Sequence, residues 1–188
     1  MFSHDGFKYP YLPLYLGKYD IDVSRVNVNV LRMMIRMNDR RLNFAIPKEL
    51  EALSQFVQTQ ANYPRNADCY VYITVRTTDP GDCYYANSQS WHVDGFQGAR
   101  IVWSNVNPTE FLLQPFFLDG LDPSKHDVNH YFAKNADENM AYAGLEKGVY
   151  LLTPHNIHRV SNEPFEHKRG FRQTDVLSCN DRGPHEHT

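Results

Sequence analysis

The pattern of apolar and polar positions along this chain predicts mostly strands. Val26-Asn27-Val28-Asn29-Val30 alternates strictly, the period of a strand with one buried face. The run continues through Leu31 to Met37, and Asn38-Asp39 suits a turn. Cys69 to Thr78 is β-branched and aromatic, the composition of a central strand. Ala99–Asn105, Glu110–Leu118, Lys147–Leu152 and Arg169–Leu177 read as further strands.

One stretch breaks the period. Between Pro47 and Asn62, the residues Leu50, Leu53, Phe56, Val57 and Ala61 recur at helical spacing and form one apolar face. Pro47 suits the first helical position. A second start signal, Asp122-Pro123-Ser124, precedes a polar helix or ordered loop over Lys125–Met140. Residues 1–24, rich in Tyr, Pro and Gly, predict an irregular arm over the domain, and 180–188 a frayed tail. The order is strand, helix, then mostly strands. It predicts a single domain over 1–188, mainly β with flanking helices, and not an alternating βαβ sheet.

Composition narrows the function classes. A chain of 188 residues suits one domain with a proper core. Its formal charge of −3 gives no global attraction to nucleic acid. No apolar run is long enough to span a membrane. The N-terminus lacks the basic and apolar regions of a secretory signal. Cys69, Cys83 and Cys179 are widely spaced and form no C-x-x-C pair. They argue against a disulfide framework, and a reducing, cytoplasmic location is the expectation.

The chemistry concentrates in two stretches. In Ser90-Trp91-His92-Val93-Asp94-Gly95-Phe96, an imidazole and a carboxylate stand two apart. On extended backbone both point to the same face. Thr153-Pro154-His155-Asn156-Ile157-His158-Arg159-Val160 supplies a second imidazole. Two His and one carboxylate leave three octahedral positions open, the ligand set of non-haem Fe(II) oxygenases. The third ligand is His158, 66 residues beyond His92, or His155, which directly follows the Pro turn. Downstream, Arg169 or Arg172 offers a planar fork for a dicarboxylate. Thr174, two residues after Arg172, shares its strand face; Phe171 holds that place for Arg169. Tyr70 and Tyr72 share one strand face as candidate co-substrate contacts, or as ordinary packing tyrosines. Trp91 and Phe96 flank the metal pair, as walls of a substrate pocket or as core. His126 and His130 read as a solvated helix face, and His185 and His187 as adventitious metal ligands in the tail.

These residues carry a resemblance over roughly 68–178. His92-Val93-Asp94, Gly148 to Leu152 with Pro154, His158-Arg159-Val160, and Arg172-Gln173-Thr174 together resemble the Fe(II)/2-oxoglutarate-dependent oxygenase family. The resemblance implies a double-stranded β-helix, or jelly-roll, with core 68–178. It implies Fe(II) on His92, Asp94 and His158, 2-oxoglutarate and O2 as co-substrates, and ascorbate as reductant in vitro. His-Arg-Val favours His158, and Arg-Gln-Thr favours Arg172. The expected reaction is hydroxylation of a C–H bond in a small molecule or amino-acid-like substrate. Residues 119–143 then suit a lid. The oligomeric state stays open.

Two other classes compete. Gly148, Pro154, His158 and Asn162 also resemble the second motif of cupins, which need no 2-oxoglutarate. Asp94 stands where the first cupin motif has a His, and no Glu follows before Glu110. The other class is a non-catalytic binding protein on the same scaffold, because a fold alone does not guarantee an activity.

Overall fold

The computed structural model describes residues 8–9, 12–26, 28–36, 44–61, 70–78, 90–94, 100–106, 108–118, 120–121, 125–153, 155–161, 170–171 and 174–180. Over these residues the protein is mainly antiparallel β-sheet with two short α-helices.

The largest sheet has six strands among the described residues. It is built from β2 (Leu14–Lys18), β3 (Val30–Arg36), β4 (Tyr70–Val75), β6 (Arg100–Trp103), β10 (Gly148–Leu152) and β13 (Thr174–Asn180), in the order β2-β10-β6-β13-β4-β3. A smaller sheet runs β11 (His158–Arg159), β7 (Glu110–Leu112), β9 (Ala141–Ala143). His92 forms a further antiparallel bridge to His158 and so extends the small sheet by one position. Two short ribbons complete the set: β1 (Lys8–Tyr9) with β8 (Phe116–Phe117), and β5 (Thr77–Thr78) with β12 (Gly170–Phe171).

Side-chain alternation divides the large sheet into two faces. Val71, Ile73 and Val75 of β4, Ile101 and Trp103 of β6, and Val149 of β10 are buried in one cluster with Leu50, Leu53, Phe56 and Val57. Those last four are among the five periodic residues of 47–62, and each of the four is fully buried. Val102, Tyr150 and Leu152 occupy the opposite face. They meet Phe111 and Tyr142 of the small sheet, with the Phe111 and Tyr150 rings 5.1 Å apart. The space between the two sheets is therefore a second apolar core.

Several local expectations change. The arm over 1–24 is not irregular throughout: Leu14–Lys18 forms an edge strand on β10. Its weak contrast between apolar and polar residues reflects a strand that is half exposed on both faces. The strand expected from Val26 begins at Val30. Ser24-Arg25 is a turn, with the Val26 N–H on the Val23 carbonyl and the Ser24 N–H on Asp22. The helix over 47–62 starts as a 3-10 segment, Lys48–Leu53, and becomes α1 at Ser54–Ala61. Pro47 stands extended just before it. The strand over 110–118 is broken between β7 and β8.

Within the segment expected to be a lid, the described residues include a helix with two side chains in the core. Residues 128–135 form α2 (Val128–Asn135), capped by Asp127 accepting from the His130 N–H. Val128 and Phe132 are buried with Trp91, Val93, Leu112, Phe116 and Ile157. A 3-10 turn, Glu138–Met140, then leads into β9, which pairs with β7. Among the described residues, no helix is long and apolar enough to cross a membrane.

Candidate metal centre

Backbone pairing brings the two chemical stretches together. The His92 N–H donates to the His158 carbonyl at 3.1 Å, and the His158 N–H returns to the His92 carbonyl at 2.9 Å. Residues that exchange both hydrogen bonds lie directly opposite and share a face. The two imidazoles therefore sit side by side, with ring centroids 4.5 Å apart. Alternation along 91–94 does the rest. Trp91 and Val93 turn into the apolar cluster, while Asp94 joins His92 on the other face. His92, Asp94 and His158 are the one metal-competent group found among the described residues, with donor atoms all within 4.8 Å of one another.

The two histidines are held alike. His92 Nδ1 lies 2.7 Å from the Ser90 carbonyl, and His158 Nδ1 lies 2.9 Å from the Asn156 carbonyl. A carbonyl only accepts, so each Nδ1 carries the proton. Each Nε2 is left as a lone pair. A backbone carbonyl on the far nitrogen is the usual way a ligating imidazole is oriented.

His158 supplies the test of fit. Its ring is buried, and Nε2 has no hydrogen-bond partner. The closest charged group is Asp94 Oδ2, at 3.3 Å. Burial pushes the His158 pKa down to about 4, against the pull of Asp94. At neutral pH the contact is therefore a lone pair facing a carboxylate, and not an ion pair. Such an arrangement is unfavourable in a low-dielectric interior. A cation held by both atoms removes the conflict. The residues present fit a divalent metal.

Neighbouring side chains fix the ligands. Arg100, at the start of β6, places Nη1 2.7 Å from Asp94 Oδ2. Asn129 of α2 accepts the Val93 N–H at 2.9 Å, which ties the helix to the ligand-bearing stretch. Asn156, almost fully buried, accepts the Thr153 N–H at 2.7 Å and closes the turn before His158. On the reverse face, Arg159 binds Glu110 at 2.6 Å and Glu138 through two nitrogens at 2.9 and 2.6 Å. The Arg159 guanidinium holds the Glu138 carboxyl below its usual pKa.

The other candidate residues fall as follows. His155 is half-buried and is not in the metal group. Trp91 is 2% exposed, and its indole N–H donates to Glu138 at 2.9 Å. Of its two readings, core describes it. Tyr70 and Tyr72 are half-buried on β4 and alternate with the buried Val71 and Ile73. Tyr72 and Arg100 both pair with Ser178, so they occupy one row across the face toward the small sheet. The backbone of Thr174 pairs with Trp103. Phe96, Arg169 and Arg172 lie outside the described residues, as do His185 and His187. His126 and His130 are exposed and not in the metal group.

Arg100, Asn129, Glu138 and Asn156 had not been singled out by sequence. Asn156 alone carried a usable signal, as an Asn closing a Thr-Pro turn. In comparisons with family models, curated proteins and solved structures, nothing matches this chain.

Proposed function

We propose that this protein is a non-haem Fe(II)/2-oxoglutarate-dependent oxygenase that hydroxylates a C–H bond of a small-molecule substrate. One observation carries the reading: His92, Asp94 and His158 converge with both Nδ1 atoms committed and a buried, unpartnered Nε2 on His158. Two His and one carboxylate on one side of an ion leave three positions for exogenous ligands. That is what a chelating 2-oxo acid and O2 together require.

Strand order supports the scaffold half of the proposal. Leave aside the short ribbon strands β5, β8 and β12, and take the other extended segments from 70 onward as β4, 92, β6, β7, β9, β10, β11 and β13. The first pairs with the last, the second with the seventh, the third with the sixth and the fourth with the fifth. Alternate pairs lie in opposite sheets. Nested pairing of this kind supports the reading of a long hairpin wound into a double-stranded β-helix, or jelly-roll.

In this reading Fe(II), when bound, supplies the oxidation chemistry, with 2-oxoglutarate decarboxylated to succinate and CO2. The chain's residues bind and orient. Asp94 and the two Nε2 atoms would hold the ion. The carbonyls of Ser90 and Asn156 keep both rings in the ligating tautomer. Arg172 or Arg169, both outside the described residues, would take the far carboxylate, with Tyr70 and Tyr72 as candidate contacts.

The test is anaerobic addition of Fe(II) and 2-oxoglutarate to metal-free protein. A weak visible charge-transfer absorption, absent with Fe(II) alone, is expected. Stoichiometric metal without that absorption contradicts the co-substrate and favours a cupin-type site.

A further inference from the structure

The metal-free site has an internal way to close. His158 Nε2 lies 3.3 Å from Asp94 Oδ2 yet has no hydrogen-bond partner, so the two atoms are close without being aligned as donor and acceptor. A proton moved from Nδ1 to Nε2, with a small rotation of the ring, would turn this contact into a charge-assisted hydrogen bond. Nε2 would then have no lone pair for a metal, and Asp94 would be engaged. The Asn156 carbonyl opposes that change, because it holds the Nδ1 proton at 2.9 Å. In the other tautomer an Nδ1 lone pair would face that oxygen in a buried site.

Asn156 fixes this carbonyl through its own side chain. Its Oδ1 accepts the Thr153 N–H at 2.7 Å and the Thr153 hydroxyl at 3.2 Å, and its N–H donates to the Thr153 carbonyl at 3.1 Å. On the other side, the Leu112 N–H holds the Ile157 carbonyl at 3.0 Å. The Asn156 carbonyl lies between these two anchors and has little room to turn. Asn156 is 1% exposed, so water does not replace its bonds when they are removed.

We infer that the Asn156 side chain is a positioning group that keeps the empty metal site open, by holding His158 in the tautomer that cannot donate to Asp94. The inference rests on the reading that His92, Asp94 and His158 hold a divalent ion. It adds what the ion competes against, an internal His158–Asp94 hydrogen bond, and the residue that suppresses that competitor.

The experiment records long-range proton–nitrogen NMR spectra of the metal-free protein at neutral pH, which report the tautomer of each imidazole. Co(II) is then titrated into the same samples. Wild type is compared with Asn156→Ala and with Asn156→Asp, which keeps an acceptor at the same reach. Phe56→Ala serves as a variant destabilised away from the site. Wild-type His158 should carry its proton on Nδ1. Asn156→Ala should move the proton to Nε2 and weaken Co(II) binding at least about tenfold, because the ion must then break a hydrogen bond to a charged group. Asn156→Asp and Phe56→Ala should stay near wild type in both readouts. Should the Ala variant fail to fold, by circular dichroism, Asn156→Leu keeps the volume without the acceptor and carries the same test. A proton on Nε2 in the wild type overturns the inference. So does Co(II) affinity lost with the proton still on Nδ1, which makes Asn156 a purely structural group, or no change in either readout. Failure of the wild type to take up Co(II) overturns the metal reading itself, and the tautomer alone then decides the role of Asn156.

Discussion

Arg159 lays its guanidinium 4.1 Å above the ring of Trp91. Each residue adjoins a metal-ligand candidate, Arg159 after His158 and Trp91 before His92. The contact ties the two ligand-bearing stretches on the face opposite the imidazoles. Glu138 closes it by accepting from both the indole and the guanidinium.

This clamp should matter to stability and to the site. Arg159 and Glu110 are 12% and 13% exposed, so removing one leaves a mostly buried charge. Arg159→Met should cost about 3–5 kcal/mol in urea unfolding. Most of that belongs to Glu110, because Glu138 is largely exposed and surface pairs contribute little. Adding Glu110→Gln should recover part of the loss. No recovery in the double variant would show that Glu110 is not the group left stranded.

The metal-free protein should lose stability in mild acid. His158 titrates at about 4 in the fold, because burial disfavours its charged form, against 6.5 ordinarily. Between these values the unfolded chain binds more protons than the native one. Stability therefore falls as pH drops from 6.5 toward 4, by up to about 1.4 kcal/mol per pH unit from this group. Glu138 acts in the same direction at lower pH. Its folded pKa is depressed by Arg159, so its small contribution is lost as pH falls through that value. Urea unfolding at several pH values measures the slope. His158→Phe should reduce it between pH 6.5 and 4; an unchanged slope would contradict the assignment.

The helix core should separate stability from the site. Phe56 is fully buried, with its ring 5.0 Å from Tyr19 and 6.2 Å from Trp103. Phe56→Ala should cost about 3–5 kcal/mol. It lies on the face of the large sheet away from the small one, so metal affinity in the folded fraction should stay close to wild type. A large loss of metal affinity below the melting transition would contradict that separation.

Period-2 alternation made much of this legible. His92 and Asp94 were expected on one face because the pleat demands it, and they are. The apolar positions of 47–62 pointed to the buried face for the same kind of reason. Arg100, Asn129 and Glu138 were not legible. Asn129 reaches Val93 across 36 positions and Glu138 reaches Trp91 across 47. No local pattern encodes a contact between distant loops and strands. The carbonyls that set both tautomers leave no trace in residue type at all. The stretch 125–143 looks polar in sequence, and two of its residues, Val128 and Phe132, are buried in a core cluster.

Metal stoichiometry tests the central claim most directly. Metal-free wild type, Asp94→Ala and His158→Ala would each be dialysed against Co(II) and the bound ion counted, with folding checked by circular dichroism. One ion per chain in the wild type, and loss of it in both folded variants, is the expected result. An ion retained by both variants, or none bound by the wild type, would contradict the assignment of His92, Asp94 and His158 as a metal centre.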